Sequence, residues 1–243
     1  MNSGIMPILK RELAGYFTTP VAYVFIILFL VMSGFLTFNI GGYFEAGQAD
    51  MRGFFSWHPW LYLFFVPAIA MRLWTEERRL GTIELLLTMP VSMFSAVTGK
   101  FLAAWMVITL SLSFTFPMVL TTLYLGSPDM GSIITGYLGS FLMAGAYLAL
   151  GSCFSAMGKN QVVSFIISVV VIFILMIIGL SGMWLPDFIP EVLIGALSNL
   201  SLLNHFNSLQ RGVIDLRDII YYLSVIICSL FASAVIINVK KAE

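Results

Sequence analysis

The chain has 243 residues, of which 60% are hydrophobic and only 10% are charged, and its formal net charge is zero. Soluble domains carry charge on about a quarter of their residues, so this composition, with a mean hydropathy of +0.99, indicates an integral membrane protein. Without a net positive charge, the composition argues against a nucleic-acid partner.

The chain begins with an amphipathic segment at residues 1–19. Within IMPILKRELAGYF (5–17), the apolar residues fall near one face of a helix, whereas Lys10, Arg11 and Glu12 fall mostly on the other. This pattern predicts an interfacial helix that lies along the membrane surface. The alternative interpretation is a plain basic flank that only orients the first span.

Long apolar runs follow along the chain. Because a helix rises about 1.5 Å per residue, about 20 apolar residues are needed to cross about 30 Å of hydrocarbon. The runs predict six membrane spans, at 21–40, 57–74, 101–125, 133–157, 162–180 and 219–239. Pro67 and Pro117 interrupt the second and third spans, where we predict kinks whose freed carbonyl groups are satisfied by neighbouring helices.

The distribution of lysine and arginine predicts the orientation of the spans. With the N-terminus inside, nine basic residues lie in inner segments and three in outer segments. The inner set is Lys10, Arg11, Arg72, Arg78, Arg79, Lys100, Lys159, Lys240 and Lys241, and the outer set is Arg52, Arg211 and Arg217. This asymmetry follows the positive-inside rule, so both termini are expected in the cytoplasm.

The densest charge in the chain lies between spans two and three, in the cytoplasmic loop 75–98. The stretch TEERRLGTIELLLTMPVS (75–92) places charged residues before Gly81, where the chain can turn sharply, and an apolar helical face after it. Pro90 then ends the helix predicted after Gly81. The loop is predicted to form a short charged and amphipathic helix that fits a groove on a cytoplasmic partner.

Two later segments are also informative. Span four carries small residues at four-residue spacing, including Gly136, Ser140 and Ser152, which predicts close helix packing. The outer segment 181–218 has apolar residues near helical spacing, which predicts short helices that dip into the outer leaflet. The outer loop 41–56 shows no comparable pattern.

Several kinds of active site are missing from the sequence. The chain has no GxxxxGK[ST] phosphate-binding loop, no GxSxG and no HExxH, and no charged residue or histidine is predicted in the middle third of a span. His58 and His205 are both predicted at the outer surface, His58 within the interfacial cluster SWHPW. A chain without an energy source of its own must obtain energy from another subunit if it performs work.

The sequence resembles a known family, the permease subunits of type-two ABC transporters. The pattern ExRxxGTxExLLxxPV, the opening KRELAGYFTTPVAY (10–23) and GVIDLRDIIYYLS (212–224) carry the resemblance, which covers essentially the whole chain. Within the family the chain is most similar to the gliding-motility branch, and the nitrous-oxide-reductase maturation permease is a more distant relative.

The resemblance implies a single permease domain over residues 1–243, without enzymatic activity, in the inner membrane of a bacterium. It would work as a dimer on a cytoplasmic ABC ATPase dimer, which would hold the ATP and Mg²⁺, and no cofactor is expected in this chain. The loop between spans two and three would be the coupling helix, beside the helix with Lys10, Arg11 and Glu12. The implied ATPase-coupling residues are Glu76, Glu77, Arg78, Arg79, Leu80, Gly81, Thr82, Ile83 and Glu84.

Several functional alternatives stay open at this stage. The complex could export a substrate, or transmit mechanical force through a moving outer surface. Its second membrane subunit could be another copy of this chain or a related subunit with a periplasmic domain. Outside this family, the candidates are a membrane-anchored envelope scaffold without an ATPase and a transporter driven by an ion gradient.

Overall fold

The computed structural model describes residues 4–81, 92–180 and 191–239, and within these ranges the chain forms helices and turns without a strand. The predicted all-helical class is therefore confirmed. A π-helical turn at Leu36–Ile40 continues the helix Val21–Phe35, and a 3₁₀ turn at Ile178–Leu180 follows the helix Gln161–Ile177. The helices are α1 (Ile5–Thr18), α2 (Val21–Phe35), α3 (Arg52–Ser56), α4 (His58–Ala70), α5 (Arg72–Leu80), α6 (Met93–Ser113), α7 (Phe116–Leu125), α8 (Met130–Met157), α9 (Gln161–Ile177), α10 (Glu191–Ser198), α11 (Leu202–Gln210) and α12 (Leu216–Val239).

Several of these helices are suited to cross a membrane. Among the described residues, four stretches are long and apolar enough, namely Val21–Ile40, Met93–Leu125, Met130–Met157 and Leu216–Val239. The chain is therefore a multi-pass membrane protein. The other two predicted spans correspond to shorter helices, because α4 has 13 residues and α9 has 17. A total of six spans stays a prediction.

Helix α8 is the centre of the bundle. It packs against α4, α5, α6, α9, α11 and α12, and most of its residues are buried. Its glycine and serine residues allow this many neighbours, because small side chains let helix backbones approach closely. Two of the predicted small residues also form hydrogen bonds, since Ser140 lies 2.7 Å from Nδ1 of His58 and Ser152 accepts a hydrogen bond from Trp74.

Gly151 lies at a close contact between α8 and α4. A Cβ atom built at Gly151 would lie 2.5 Å from the Cβ of Ala70, whereas one at Gly34 in α2 would meet nothing within 4 Å. We expect Gly151→Ala to destabilise the protein by about 1–3 kcal/mol through overpacking. Gly34→Ala, the matched control, should be neutral or stabilising by up to about 1 kcal/mol, since alanine favours helices. Thermal unfolding in one detergent measures both, and equal midpoints would contradict the close contact.

Of the two predicted proline kinks, the one at Pro117 corresponds to an interruption between two helices, and the one at Pro67 stays a prediction. Helix α6 ends at Ser113 and α7 begins at Phe116, so the helical structure is interrupted just before Pro117. The Thr115 hydroxyl lies 2.6 Å from the Leu112 carbonyl oxygen, which satisfies an acceptor at the break. Pro67 lies inside α4, which continues to Ala70.

The segment before α4 folds back into the bundle, which the sequence did not predict. Phe54 and Phe55 of α3 are buried, and the Phe55 ring fills the space beside Gly136 of α8. His58 follows directly and its side chain is wholly buried, with its ring against both phenylalanines. His58 is therefore a buried structural residue, and its predicted position at the outer face of the membrane stays a prediction.

The described part of the predicted outer segment contains α10 and α11. Helix α11 is attached to α12, because the Tyr222 hydroxyl donates to the Leu202 carbonyl over 2.7 Å. His205 of α11 also contacts the Asp218 carboxylate, with Nδ1 2.6 Å from Oδ1. The remaining residues of this predicted segment, 181–190, lie outside the described part of the chain.

Candidate functional site

The charged residues of the 75–98 loop begin on helix α5. Its last turn carries Arg78 and Arg79, whose positive charges interact favourably with the negative end of the helix dipole. Gly81 then ends the helix with a φ of +69°, a left-handed conformation that residues with a Cβ rarely adopt. The structure therefore shows that the helix ends at Gly81, whereas the path of residues 82–91 lies outside the described part of the chain.

A serine of α8 holds the start of α5. The helical structure is interrupted at Met71, between α4 and α5, and such an interruption leaves backbone groups without helical partners. The Ser155 hydroxyl accepts hydrogen bonds from the backbone N–H groups of Trp74 (3.1 Å) and Thr75 (3.3 Å), and donates to the Met71 carbonyl (3.0 Å). The Trp74 indole N–H also donates to Ser152 over 3.2 Å. These bonds fasten α5 to the central helix.

A buried ion network joins α5 to two other helices. Lys100, in the second turn of α6, is only 4% exposed, and its ammonium lies 2.8 Å from Glu77 Oε1 and 3.1 Å from Glu12 Oε1. It also lies 5.5 Å from the centroid of the Trp74 ring. A buried lysine is tolerated when carboxylates compensate its charge. Because Glu12 belongs to α1, Glu77 to α5 and Lys100 to α6, this one contact connects three helices.

Arg11 completes the network at its exposed edge. Its guanidinium lies 2.7 Å from Glu12 Oε1 and 3.9 Å from Glu77 Oε1. Burial raises the pKa of the Glu12 carboxyl, but Lys100 and Arg11 outweigh burial and hold this pKa below its ordinary value. Glu12 is thus ionised at neutral pH. We call the end of the bundle that holds Arg11, Glu12, Glu77 and Lys100 the charged end.

Two further residues at the charged end have shifted pKa values. Burial, with help from the Glu12 charge, raises the pKa of the Tyr16 hydroxyl, which therefore stays protonated and can donate a hydrogen bond. Partial burial lowers the pKa of the Arg78 guanidinium. Arginine remains charged at neutral pH despite such a shift.

The predicted site residues are distributed over this surface as follows. The network contains Arg11, Glu12 and Glu77, whereas Lys10 is exposed to solvent. Glu76 lines a pocket beside the network, and Arg79 and Leu80 are exposed at the end of α5. Thr82, Ile83 and Glu84 lie outside the described residues.

Lys100 is the site residue that the sequence analysis missed, because it was counted only as a positive charge for orientation. Its helix position contains the missing information, since the residues three and four positions away on the same face are all apolar. They are Ala96, Val97, Ala103 and Ala104, each no more than 2% exposed. A lysine on such a face requires a buried carboxylate partner.

Comparison with known proteins identifies the family of the chain. A family model described as an ABC-2 family transporter protein matches residues 9–179. The match covers more than half of the chain, from α1 to the end of α9, and includes every member of the ion network. Among curated proteins the search found no match. On the strength of the family match, the chain belongs to the ABC-2 family of transporter proteins.

Proposed function

We infer that this chain is the permease subunit of an ATP-driven transporter, and that the charged end docks a separate ATPase. The family supports the permease role. The docking surface would comprise the exposed end of α5 together with the chain that follows Gly81, including Thr82, Ile83 and Glu84. ATP and Mg²⁺ would be bound by the partner, and the chain would act as a single domain over residues 1–243.

The observation that carries this proposal is the double fastening of α5. At its start, Ser155 joins α5 to the central helix α8, and one turn later Glu77 joins α5 to α1 and α6 through Lys100. A load applied to the chain after Gly81 would therefore act on packed helices and not on a loose loop. Packed elements of this kind move as units between discrete arrangements. In the proposed mechanism, closure of the ATPase dimer shifts α5, which tilts the bundle.

The same proposal orients the protein in the membrane. The charged end would face the cytoplasm of a bacterium, with both termini inside and six spans in its inner membrane. Helix α1, whose exposed face carries Lys10, would lie in the inner interface as the predicted amphipathic helix. Helices α10 and α11 would be the re-entrant helices of the outer leaflet.

A transport path would have to lie between two permease subunits. Within the described residues the centre of the bundle is filled by side chains, with Tyr62, Tyr147 and Tyr222 each 0% exposed. The complex would thus either export a substrate between protomers or transmit force through its outer surface. A homodimer, or a heteromer with a membrane subunit that has a periplasmic domain, fits both versions. The gliding-motility branch, with the nitrous-oxide-reductase maturation permease as a distant relative, stays a prediction.

A pull-down tests the proposal directly. We expect the tagged protein, purified in mild detergent from its native host, to retain an ABC ATPase, and the recovered complex to hydrolyse ATP. Replacing residues 82–91 with a neutral linker of equal length should abolish this recovery. Recovery of the chain alone, even after crosslinking, would overturn the proposal and favour the envelope scaffold, which would also tolerate the linker.

A further inference from the structure

Two neighbouring pockets, one at the charged end and one in the cleft between α2 and α4, together form what we call the groove. Its polar part is a pocket of about 240 Å³ whose lining includes Tyr16, Arg72 and Glu76. Its apolar part has a volume of about 330 Å³ and lies between α2 and α4. Val21 and Arg72 line both parts, so the two parts are neighbours at these residues.

The apolar part of the groove is suited to a hydrocarbon chain. Val24 and Leu28 of α2 form one wall, and Phe65 and Ile69 of α4 form the other. Val24 and Leu28 are 52% and 43% exposed, so the groove is open along its length to the surrounding hydrocarbon. From Pro20 to Leu28 the α2 wall extends for about 12 Å, at 1.5 Å per residue.

Two charged residues that line the polar part of the groove, Arg72 and Glu76, lie outside the ion network of Lys100. Arg72 and Glu76 are one helical turn apart on α5 and both line the pocket. Within residues 4–81, 92–180 and 191–239, neither of them forms an ion pair. Lys100, which also lines the pocket, is already paired with Glu12 and Glu77. A ligand that matches this pocket therefore carries an anion and a cation a few ångströms apart.

We propose that the groove binds one phospholipid with a zwitterionic headgroup that ends in a primary ammonium, such as phosphatidylethanolamine. The acyl chain lies between α2 and α4, and the phosphate contacts the Arg72 guanidinium, whose planar donors suit phosphate oxygens. The ammonium donates to the Glu76 carboxylate. The Tyr16 hydroxyl, which remains protonated, supplies a further donor near the phosphate.

Charge explains why other common headgroups fit less well. Phosphatidylglycerol has no ammonium, so the Glu76 carboxylate would face an anionic lipid without compensation. Phosphatidylcholine carries a quaternary ammonium, which has no N–H group to donate to Glu76. The bound lipid would stabilise the junction of α1, α2 and α5 whether or not an ATPase is attached. The proposal therefore does not depend on the proposed function.

Native mass spectrometry of the full-length, delipidated protein tests the proposal. The protein is incubated with equal amounts of phosphatidylethanolamine, phosphatidylcholine and phosphatidylglycerol, and the first bound lipid is counted. We expect phosphatidylethanolamine to exceed each competitor by about tenfold, the factor that one charge-assisted hydrogen bond contributes. Equal binding of the three lipids, a preference for phosphatidylglycerol, or no bound lipid would overturn the proposal.

Variants assign the preference to the groove. Glu76→Gln should remove the preference for phosphatidylethanolamine over phosphatidylcholine, whereas Glu45→Gln, at an exposed acid elsewhere in the chain, should keep it. Val24→Trp should lower binding of all three lipids by filling the apolar part without changing a charge. A preference that survives both Glu76→Gln and Val24→Trp would contradict binding at this groove.

Discussion

Replacing Lys100 with methionine is expected to destabilise the protein by about 3–5 kcal/mol, the usual effect of removing one partner from a buried ion pair. The variant keeps the length of the side chain but removes the ammonium that compensates the negative charges of Glu12 and Glu77, which then repel each other. Arg11 compensates only part of this repulsion, because it lies at the exposed edge of the network. The free energy of unfolding in detergent, from thermal or denaturant unfolding, measures the change.

Two further variants separate the charge of Lys100 from its packing. Lys159→Met removes an exposed lysine and should change the free energy of unfolding by less than about 0.5 kcal/mol. Adding Glu77→Gln to Lys100→Met should recover a large part of the lost stability, because one of the two uncompensated carboxylates is removed. If Lys100→Met unfolds like the wild type, the network does not hold these helices together.

The long spans could be predicted from the sequence because the bilayer imposes a minimum length on an apolar helix. The runs at 21–40 and 133–157 therefore correspond to helices of the expected length. The packing of α3 and His58 could not be predicted in this way. A tryptophan and phenylalanine cluster has the same composition at a membrane interface and inside a bundle, and only the tertiary contacts distinguish the two positions.

The candidate site was predictable to a similar extent. The backbone break at Gly81 followed from the special conformational freedom of glycine, and Glu77 was identified from the local density of charge. Lys100 was not identified, because a lysine at the end of an apolar run is expected for orientation alone. Its pairing with Glu12 and Glu77 joins residues up to 88 positions apart in sequence, and periodicity within one segment does not report such long-range contacts.

Arg79→Ala is expected to lower the recovery of the partner ATPase, and the ATP hydrolysis of the purified complex, by about tenfold or more. Losing one well-placed charged contact at an interface weakens binding by about 1.4 kcal/mol, which corresponds to this factor. Arg79 is exposed in the last turn of α5 and forms no ion pair within the described residues, so its charge is available to a partner. The measurement is the pull-down described above, at equal amounts of permease.

Glu77 is a useful comparison for Arg79, because both residues lie on α5. Arg79 is exposed, whereas Glu77 belongs to the ion network. Arg79→Ala should leave the free energy of unfolding within about 0.5 kcal/mol of wild type, as for other exposed positions. Glu77→Ala should lower both stability and ATPase recovery, because Glu77 belongs to the ion network. Arg211→Ala, an exposed arginine after α11, should change neither quantity. If ATPase recovery with Arg79→Ala equals that of the wild type, Arg79 does not belong to the docking surface. If the free energy of unfolding falls together with ATPase recovery, the role of Arg79 is structural.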